Sequence, residues 1–246
     1  MVVRFIVKNM KKVLWLVITI LSLHAFLGCN SKSNSDIELQ KTYYKSGKLH
    51  EVIPLVNGIV QGVKKEFYED GALRLEVPYD SGYVNGNVKY YYQNGKLYSL
   101  TPRRKGLIHG VVKKYYSTGS LQSETPYYDN KLQPGLKEYD KQGNLIINPE
   151  IVCKTNKSRR GKDLQVTVEV SLSKFAKNIA YFQAVHYEGK DTTFSRIPSE
   201  NGVGRLSVIL TKGSSIDQEI LIKSEYLTQL NNRGVTQKKY RFFAKN

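Results

Sequence analysis

Cysteine is nearly absent from this chain of 246 residues: Cys29 and Cys153 are the whole supply, which excludes the disulfide framework that staples many small exported domains. Histidine is also scarce. After the N-terminal apolar stretch there remain His50, His109 and His186, none at metal-ligand spacing from a second histidine, a cysteine or a carboxylate. No nucleophile elbow, phosphate-binding loop or dinucleotide fingerprint occurs. These absences point away from an enzyme and call for neither metal nor cofactor. Long apolar runs are missing too, apart from residues 13–27. At 15 residues that run falls short of the roughly 20 needed to span a bilayer.

What is there begins with export. Arg4, Lys8, Lys11 and Lys12 precede the apolar run, and no acid occurs before Asp36. The run closes on Phe26-Leu27-Gly28-Cys29, a small residue directly before a cysteine. Residues 1–28 therefore read as a signal peptide. The close resembles the lipobox of bacterial lipoproteins, although Phe26 stands where an aliphatic residue is usual. The resemblance implies that Cys29 is lipidated and becomes the mature N-terminus; the alternatives are an ordinary signal peptide with a chance cysteine and an uncleaved anchor. Met10-Lys11-Lys12 would also serve as a start. Residues 29–40 then form a polar tether, and the expected location is the cell envelope, lipid-anchored to a bacterial membrane.

The formal charge is +17, with 38 basic and 21 acidic residues. Residues 38–149 carry 16 basic against 11 acidic, and residues 150–246 carry 17 against 9, so the excess is spread as +5 and +8. A diffuse excess attracts anionic surfaces without specifying one. For an exported chain it favours acidic proteins, headgroups or glycans over nucleic acid. With Cys29 lipidated, Cys153 has no partner, and beside Ile151 and Val152 it reads as a small buried residue.

The chain is organised by an internal repeat. Gly47, Gly71, Gly95, Gly119 and Gly143 stand 24 residues apart, and such a period sets the architecture. Four residues before each glycine stand Tyr43, Phe67, Tyr91, Tyr115 and Tyr139, and three before it Tyr44, Tyr68, Tyr92 and Tyr116, with Asp140 breaking the row. Leu49, Leu73, Leu97, Leu121 and Leu145 follow by two, and Pro54, Pro78, Pro102 and Pro126 by seven. Second glycines come at Gly58, Gly82 and Gly106 and third ones at Gly62, Gly86 and Gly110, while the fourth unit decays to Asn130 and Pro134-Gly135.

This pattern predicts a β-meander over residues 41–149. Asp70-Gly71 and Asn94-Gly95 read as two-residue hairpin turns with both central residues at positive φ. An aromatic strand precedes each turn, and a short strand after it is stopped by the proline. A longer return loop follows. Fourteen of the 18 tyrosines lie in this region, which makes aromatic stacking the expected cohesion. One hairpin is marginal alone, so neighbouring units must stack.

The aromatic pair, the Gly-x-Leu step and the glycine-rich return, as in Tyr91-Tyr92-Gln93-Asn94-Gly95-Lys96-Leu97 and Lys105-Gly106-Leu107-Ile108-His109-Gly110, resemble the bacterial variant of the MORN (membrane occupation and recognition nexus) repeat, the YwqK-type antitoxin family. The resemblance covers about residues 43–147. It implies a scaffold of stacked hairpins, with some relatives being immunity proteins against secreted toxins and others membrane-surface modules.

A further ladder is Lys65, Lys89, Lys113 and Lys137, each two residues before Phe67, Tyr91, Tyr115 or Tyr139 and so on the same strand face. It can be read as a basic–aromatic binding stripe, or as lysine stems covering ring faces on a solvated side. Beyond Pro149 the register stops. Residues 150–162, with Lys154, Lys157, Arg159, Arg160 and Lys162, read as a basic linker. Residues 163–246 show strand alternation, clearest at Leu164, Val166, Val168, Val170 and Leu172. About six antiparallel strands, with a turn-rich break at residues 231–234, predict a small immunoglobulin-like sandwich.

The fold expected is thus all-β: a stacked-hairpin repeat sheet followed by a small antiparallel sandwich. The expected role is binding. One reading is a membrane-anchored lipoprotein holding a partner protein, as in toxin immunity. The other is a membrane- or glycan-facing module using the stripe.

Overall fold

The computed structural model describes residues 37–185 and 193–246. Cys29, the signal peptide, most of the tether and His186 lie outside the described residues.

Each 24-residue unit folds as a pair of strands with a short flap. β1 (Ile37–Tyr43) precedes β2 (Leu49–Val56), β3 (Ile59–Val60), β4 (Gly62–Phe67), β5 (Leu73–Asp80), β6 (Tyr83–Val84) and β7 (Gly86–Tyr91). The series continues through β8 (Leu97–Arg104), β9 (Leu107–Ile108), β10 (Gly110–Tyr115), β11 (Leu121–Tyr128), β12 (Lys131–Leu132), β13 (Lys137–Tyr139) and β14 (Leu145–Ile146). All belong to one 14-stranded sheet in the order β1-β2-β4-β5-β7-β8-β10-β11-β13-β14, with β3, β6, β9 and β12 as flaps on β2, β5, β8 and β11.

The two kinds of turn are exchanged relative to the sequence reading. At Gly71 only the glycine has positive φ, at 92°, and its N–H donates to the Tyr68 carbonyl at 2.9 Å. The turn is therefore type I closed by a left-handed glycine, a three-residue hairpin loop. Asp70 serves as a side-chain cap, accepting from the Ala72 N–H at 2.9 Å, as Asn94 does from Lys96 at 3.1 Å. The turns with two positive φ values lie where a long return loop was expected. Lys105 and Gly106 have φ 48° and 82°, and in the fourth unit Asp129 and Asn130 have 45° and 65°. Asparagine tolerates this conformation, so the decayed unit keeps its turn.

Nor do the prolines stop the strands. Pro78 lies inside β5, opposite Val63, and its carbonyl accepts from the Asn85 N–H at 3.0 Å. It sits between the residues that pair with β6 and those that pair with β7, so the missing donor costs no ladder bond. Gly110, at φ 120°, lies under Pro102, whose Cγ would be 3.0 Å from an added Cβ. This crossover glycine recurs under the proline at Gly62, Gly86 and, one residue late, at Gly135.

The presumed linker is a strand. β15 (Ile151–Arg160) pairs residue for residue with β16 (Asp163–Leu172). Gly161, at φ 63°, opens the two-residue turn between them. The basic residues read as a solvated connection belong to an edge strand, where charge blocks further pairing. β17 (Lys177–Val185), β18 (Thr193–Ile197), β19 (Ser199–Glu200), β20 (Val203–Leu210), β21 (Ser215–Leu227) and β22 (Arg233–Lys245) complete the fold. The two sheets run β15-β16-β20-β19 and β18-β17-β21-β22, the immunoglobulin-like order. Their inner faces meet in a core of Ile151, Val168 and Val170 against Tyr181, Ile197, Ile220 and Ile222. Among the described residues there are seven strands beyond residue 162 rather than about six, and β15 from the stretch read as a linker makes eight. The turn expected at residues 231–234 also closes earlier, at Asn231 and Asn232, leaving Gly234 inside β22.

Residues 38–246 form one compact unit. The turn between β21 and β22 reaches the repeat sheet through a buried polar cluster. Glu138 Oε1 accepts from Thr228 Oγ1 and Asn232 Nδ2, each at 2.7 Å, and Lys114 Nζ donates to Asn232 Oδ1 at 2.8 Å. Glu138, Thr228 and Asn232 are all at most 5% exposed. Burial pushes the Lys114 pKa down, while the Glu138 carboxylate opposes that shift.

Candidate functional site

Strand register puts the lysine ladder on one line across the sheet. Lys65 faces Glu76, Glu76 faces Lys89, Lys89 faces Leu100, Leu100 faces Lys113, Lys113 faces Glu124, and Glu124 faces Lys137. Six strand spacings of about 4.8 Å make this row roughly 29 Å long. The predicted lysines and rings do share a face, but two carboxylates stand between lysines, and Leu100 divides the row into two Lys–Glu–Lys groups.

These carboxylates hold the lysines. Glu76 lies 4.0 Å from Lys65 Nζ and 3.5 Å from Lys89 Nζ, and Glu124 lies 3.1 Å from Lys113 Nζ. The hydrogen bond that Lys113 donates to Glu124 raises the Lys113 pKa. Tyr91 donates to Glu76 at 2.9 Å and Tyr139 to Glu124 at 3.4 Å. Burial first, and the Glu76 contact second, push the Tyr91 hydroxyl up to about 12. The lysine side chains remain 39–47% exposed at Lys65, Lys89 and Lys113. Among the described residues the lysine-over-ring contacts are both made by Lys223, on Phe182 and Phe194 in the sandwich. Lys65, Lys89 and Lys113 lean on carboxylates instead.

The sequence reading missed these acids, although the signal is present. Five residues after successive marker glycines stand Val52, Glu76, Leu100, Glu124 and Asn148, so acid recurs at twice the repeat period. Where the acid stands, the aromatic of the next unit is a tyrosine that reaches it. Beside Val52 and Leu100, Phe67 and Tyr115 make no such bond.

The second aromatic row has a different task. Tyr44, Tyr68, Tyr92 and Tyr116 each donate their hydroxyl to the main-chain carbonyl of the first aromatic one unit on: Phe67, Tyr91, Tyr115 and Tyr139, at 2.7–2.8 Å. Each tyrosine fastens its unit to the next. Asp140 breaks the row at the last unit, where its carboxylate accepts from the N–H groups of Gln142 and Asn144. Hydrogen bonds from Asn144 hold its pKa down.

His109 is a turn residue with an ionic neighbourhood. Its N–H donates to the Pro102 carbonyl at 3.1 Å, and its Nδ1 lies 2.8 Å from Asp129, which Arg104 also contacts at 3.3 Å. Cys153 is half-buried, and desolvation raises its thiol pKa, which opposes thiolate reactivity.

The MORN repeat variant family matches four segments of the chain, residues 39–57, 60–81, 84–104 and 108–130. The match covers the first four units of the repeat sheet, and the sandwich lies outside it. No curated protein and no solved structure matches the chain.

Proposed function

We propose that this chain is a bacterial envelope lipoprotein, anchored through Cys29, whose repeat sheet binds a partner protein along the Lys–aromatic face, in toxin immunity at the envelope. The observation that carries the choice of a protein partner is the charge pattern of the row. Four lysines and two glutamates leave it only two charges positive. Juxtamembrane basic residues contribute about 1 kcal/mol each, so such a row would give roughly 2 kcal/mol toward an anionic leaflet. Fixed Lys–Glu–Lys triplets, spaced by the strands and flanked by half-buried rings, suit a partner of matching charge order better than a uniform film of headgroups. A row of about 29 Å also has the span of an ordinary protein interface.

The alternative, a membrane- or glycan-facing module, makes a different demand on salt. The test uses a Cys29→Ser form released from the membrane, with photocrosslinking to its native envelope and sedimentation with anionic vesicles. In the proposed role the Lys89→Glu plus Lys113→Glu variant loses the specific crosslink at least about tenfold, because truncating or reversing paired interface charges costs 2 kcal/mol or more. Vesicle binding should be weak and abolished at physiological ionic strength. Tight vesicle binding that the double variant removes, with crosslinks unchanged, would move the assignment to the lipid surface.

The anchor has its own check. Incorporation of a labelled acyl precursor should disappear in Cys29→Ala, and the protein should leave the membrane fraction. Label retained by that variant would remove the lipoprotein reading.

A further inference from the structure

Beside the buried polar cluster lies a cavity of about 300 Å³, walled by Ile146, Ile147, Phe175 and Leu230, with Glu138 among its lining residues. Glu138 is 2% exposed, and its Oε1 already accepts from Thr228 and Asn232. Its Oε2 takes no hydrogen bond from the described residues. The enclosed side-chain atoms that lack a partner among the described residues are the Ser123 and Ser224 hydroxyls, so Oε2 is not sealed in, and its residue lines the cavity. Of the nearby cations Lys174 also lines the cavity, but both it and Lys114 are committed to other acceptors. Lys114 donates to Asn232 and Lys174 to the Ile147 carbonyl, at 2.8 and 3.2 Å. The carboxylate is thus held by two neutral donors; the Lys114 ammonium feels its charge through the intervening Asn232 but makes no direct contact with it.

A carboxylate this deeply buried is costly unless paired and fully hydrogen-bonded. The free oxygen faces a small space with mostly apolar walls, which is the composition of a ligand pocket. We propose that this cavity binds a primary ammonium carried on a short branched apolar body, with the ammonium on Glu138 Oε2 and the body against Ile146, Ile147, Phe175 and Leu230. At about 30 Å³ per water-sized group the space takes roughly ten non-hydrogen atoms. Two sources share this chemistry, a free small amine and the N-terminal residue of a peptide. The cavity lies at the sandwich end of the repeat sheet, and the inference stands independently of the partner face.

The test titrates the isotopically labelled mature protein with leucinamide, with Leu-Gly-Gly amide, and with 4-methylpentanamide, which lacks the amine. Leucinamide should saturate at millimolar concentration, with NMR shifts at the cavity residues. The amine-free analogue should bind at least about tenfold more weakly, as for loss of a hydrogen bond to a charged group. Glu138→Gln should abolish that discrimination, and Phe175→Ala, at a side chain 72% exposed, should weaken all binding without unfolding the protein. Tripeptide binding as tight as leucinamide assigns the site to peptide N-termini, and leucinamide binding alone assigns it to a free amine. Equal binding of leucinamide and 4-methylpentanamide, or no saturable shift with either amine, overturns the proposal. That comparison is made on the unaltered protein, so it stands even if Glu138→Gln fails to fold.

Discussion

Replacing Gly234 by alanine should destabilise the sandwich by about 3 kcal/mol, the upper range for overpacking a filled core. A Cβ at this position would lie 2.5 Å from Tyr226 Cζ and 2.6 Å from Cε2. The ring cannot swing clear, because Tyr226 is 4% exposed and stands directly opposite Gly234 in the ladder between β21 and β22. A chain of this size should then melt roughly 6–12 °C lower, read by far-UV circular dichroism. Adding Tyr226→Leu should recover part of the loss, since the clash is with the ring alone. A Gly234→Ala protein that melts with the wild type would show that the ring does not lie over the glycine. Gly204 under Tyr181 is a milder case, with its nearest contact at 3.0 Å.

In the repeat sheet the largest effect is expected from Tyr68→Phe, Tyr92→Phe and Tyr116→Phe combined. Each change deletes one hydroxyl-to-carbonyl bond between successive units. At about 1 kcal/mol per bond, and with sites far enough apart to add, the triple variant should lose roughly 3 kcal/mol. Tyr83→Phe, on a side chain 64% exposed, is the control and should fall within about 0.5 kcal/mol. Denaturant titration of the three proteins decides the matter; a triple variant as stable as the control would remove the fastening role.

The same tyrosines give a pH signature. Burial raises the pKa of Tyr92 and Tyr116 in the folded chain. The unfolded chain therefore gives up these protons first, and stability is lost as pH rises above the ordinary tyrosine value near 10. The triple variant lacks that share of the loss and should show a shallower alkaline slope.

Much of this was open to inspection in the residues. The period of 24, the aromatic pair and the leucine step identify the stacked hairpins, because a repeat must place like residues on like positions of a sheet. The alternation at Leu164, Val166, Val168 and Val170 likewise locates a central sandwich strand. The basic run at residues 154–162 misleads, since an edge strand and a solvated linker share the same composition. The turns misled in a related way. Asp70-Gly71 carries the residues of a two-residue turn, yet whether both or only one adopts positive φ depends on strand register.

The candidate sites divide along the same line. The lysine row could be read from spacing, because period 2 along a strand and period 24 along the chain are local rules. Glu76 and Glu124 belong to neighbouring strands, so their place between the lysines follows from register, which sequence spacing does not state. Glu138 and Lys114 are one step further removed. They stand 94 and 118 residues from Asn232, and nothing in their local sequence marks Glu138 as buried or Lys114 as half-buried. The sequence by itself determined the repeating sheet, the rows of aromatic residues along it and the alternation of the central sandwich strand, because each arises from short-range periodicity. Only the tertiary structure decided which charges meet, which glycines lie under rings and where a cavity forms, because those depend on surfaces brought together from distant parts of the chain.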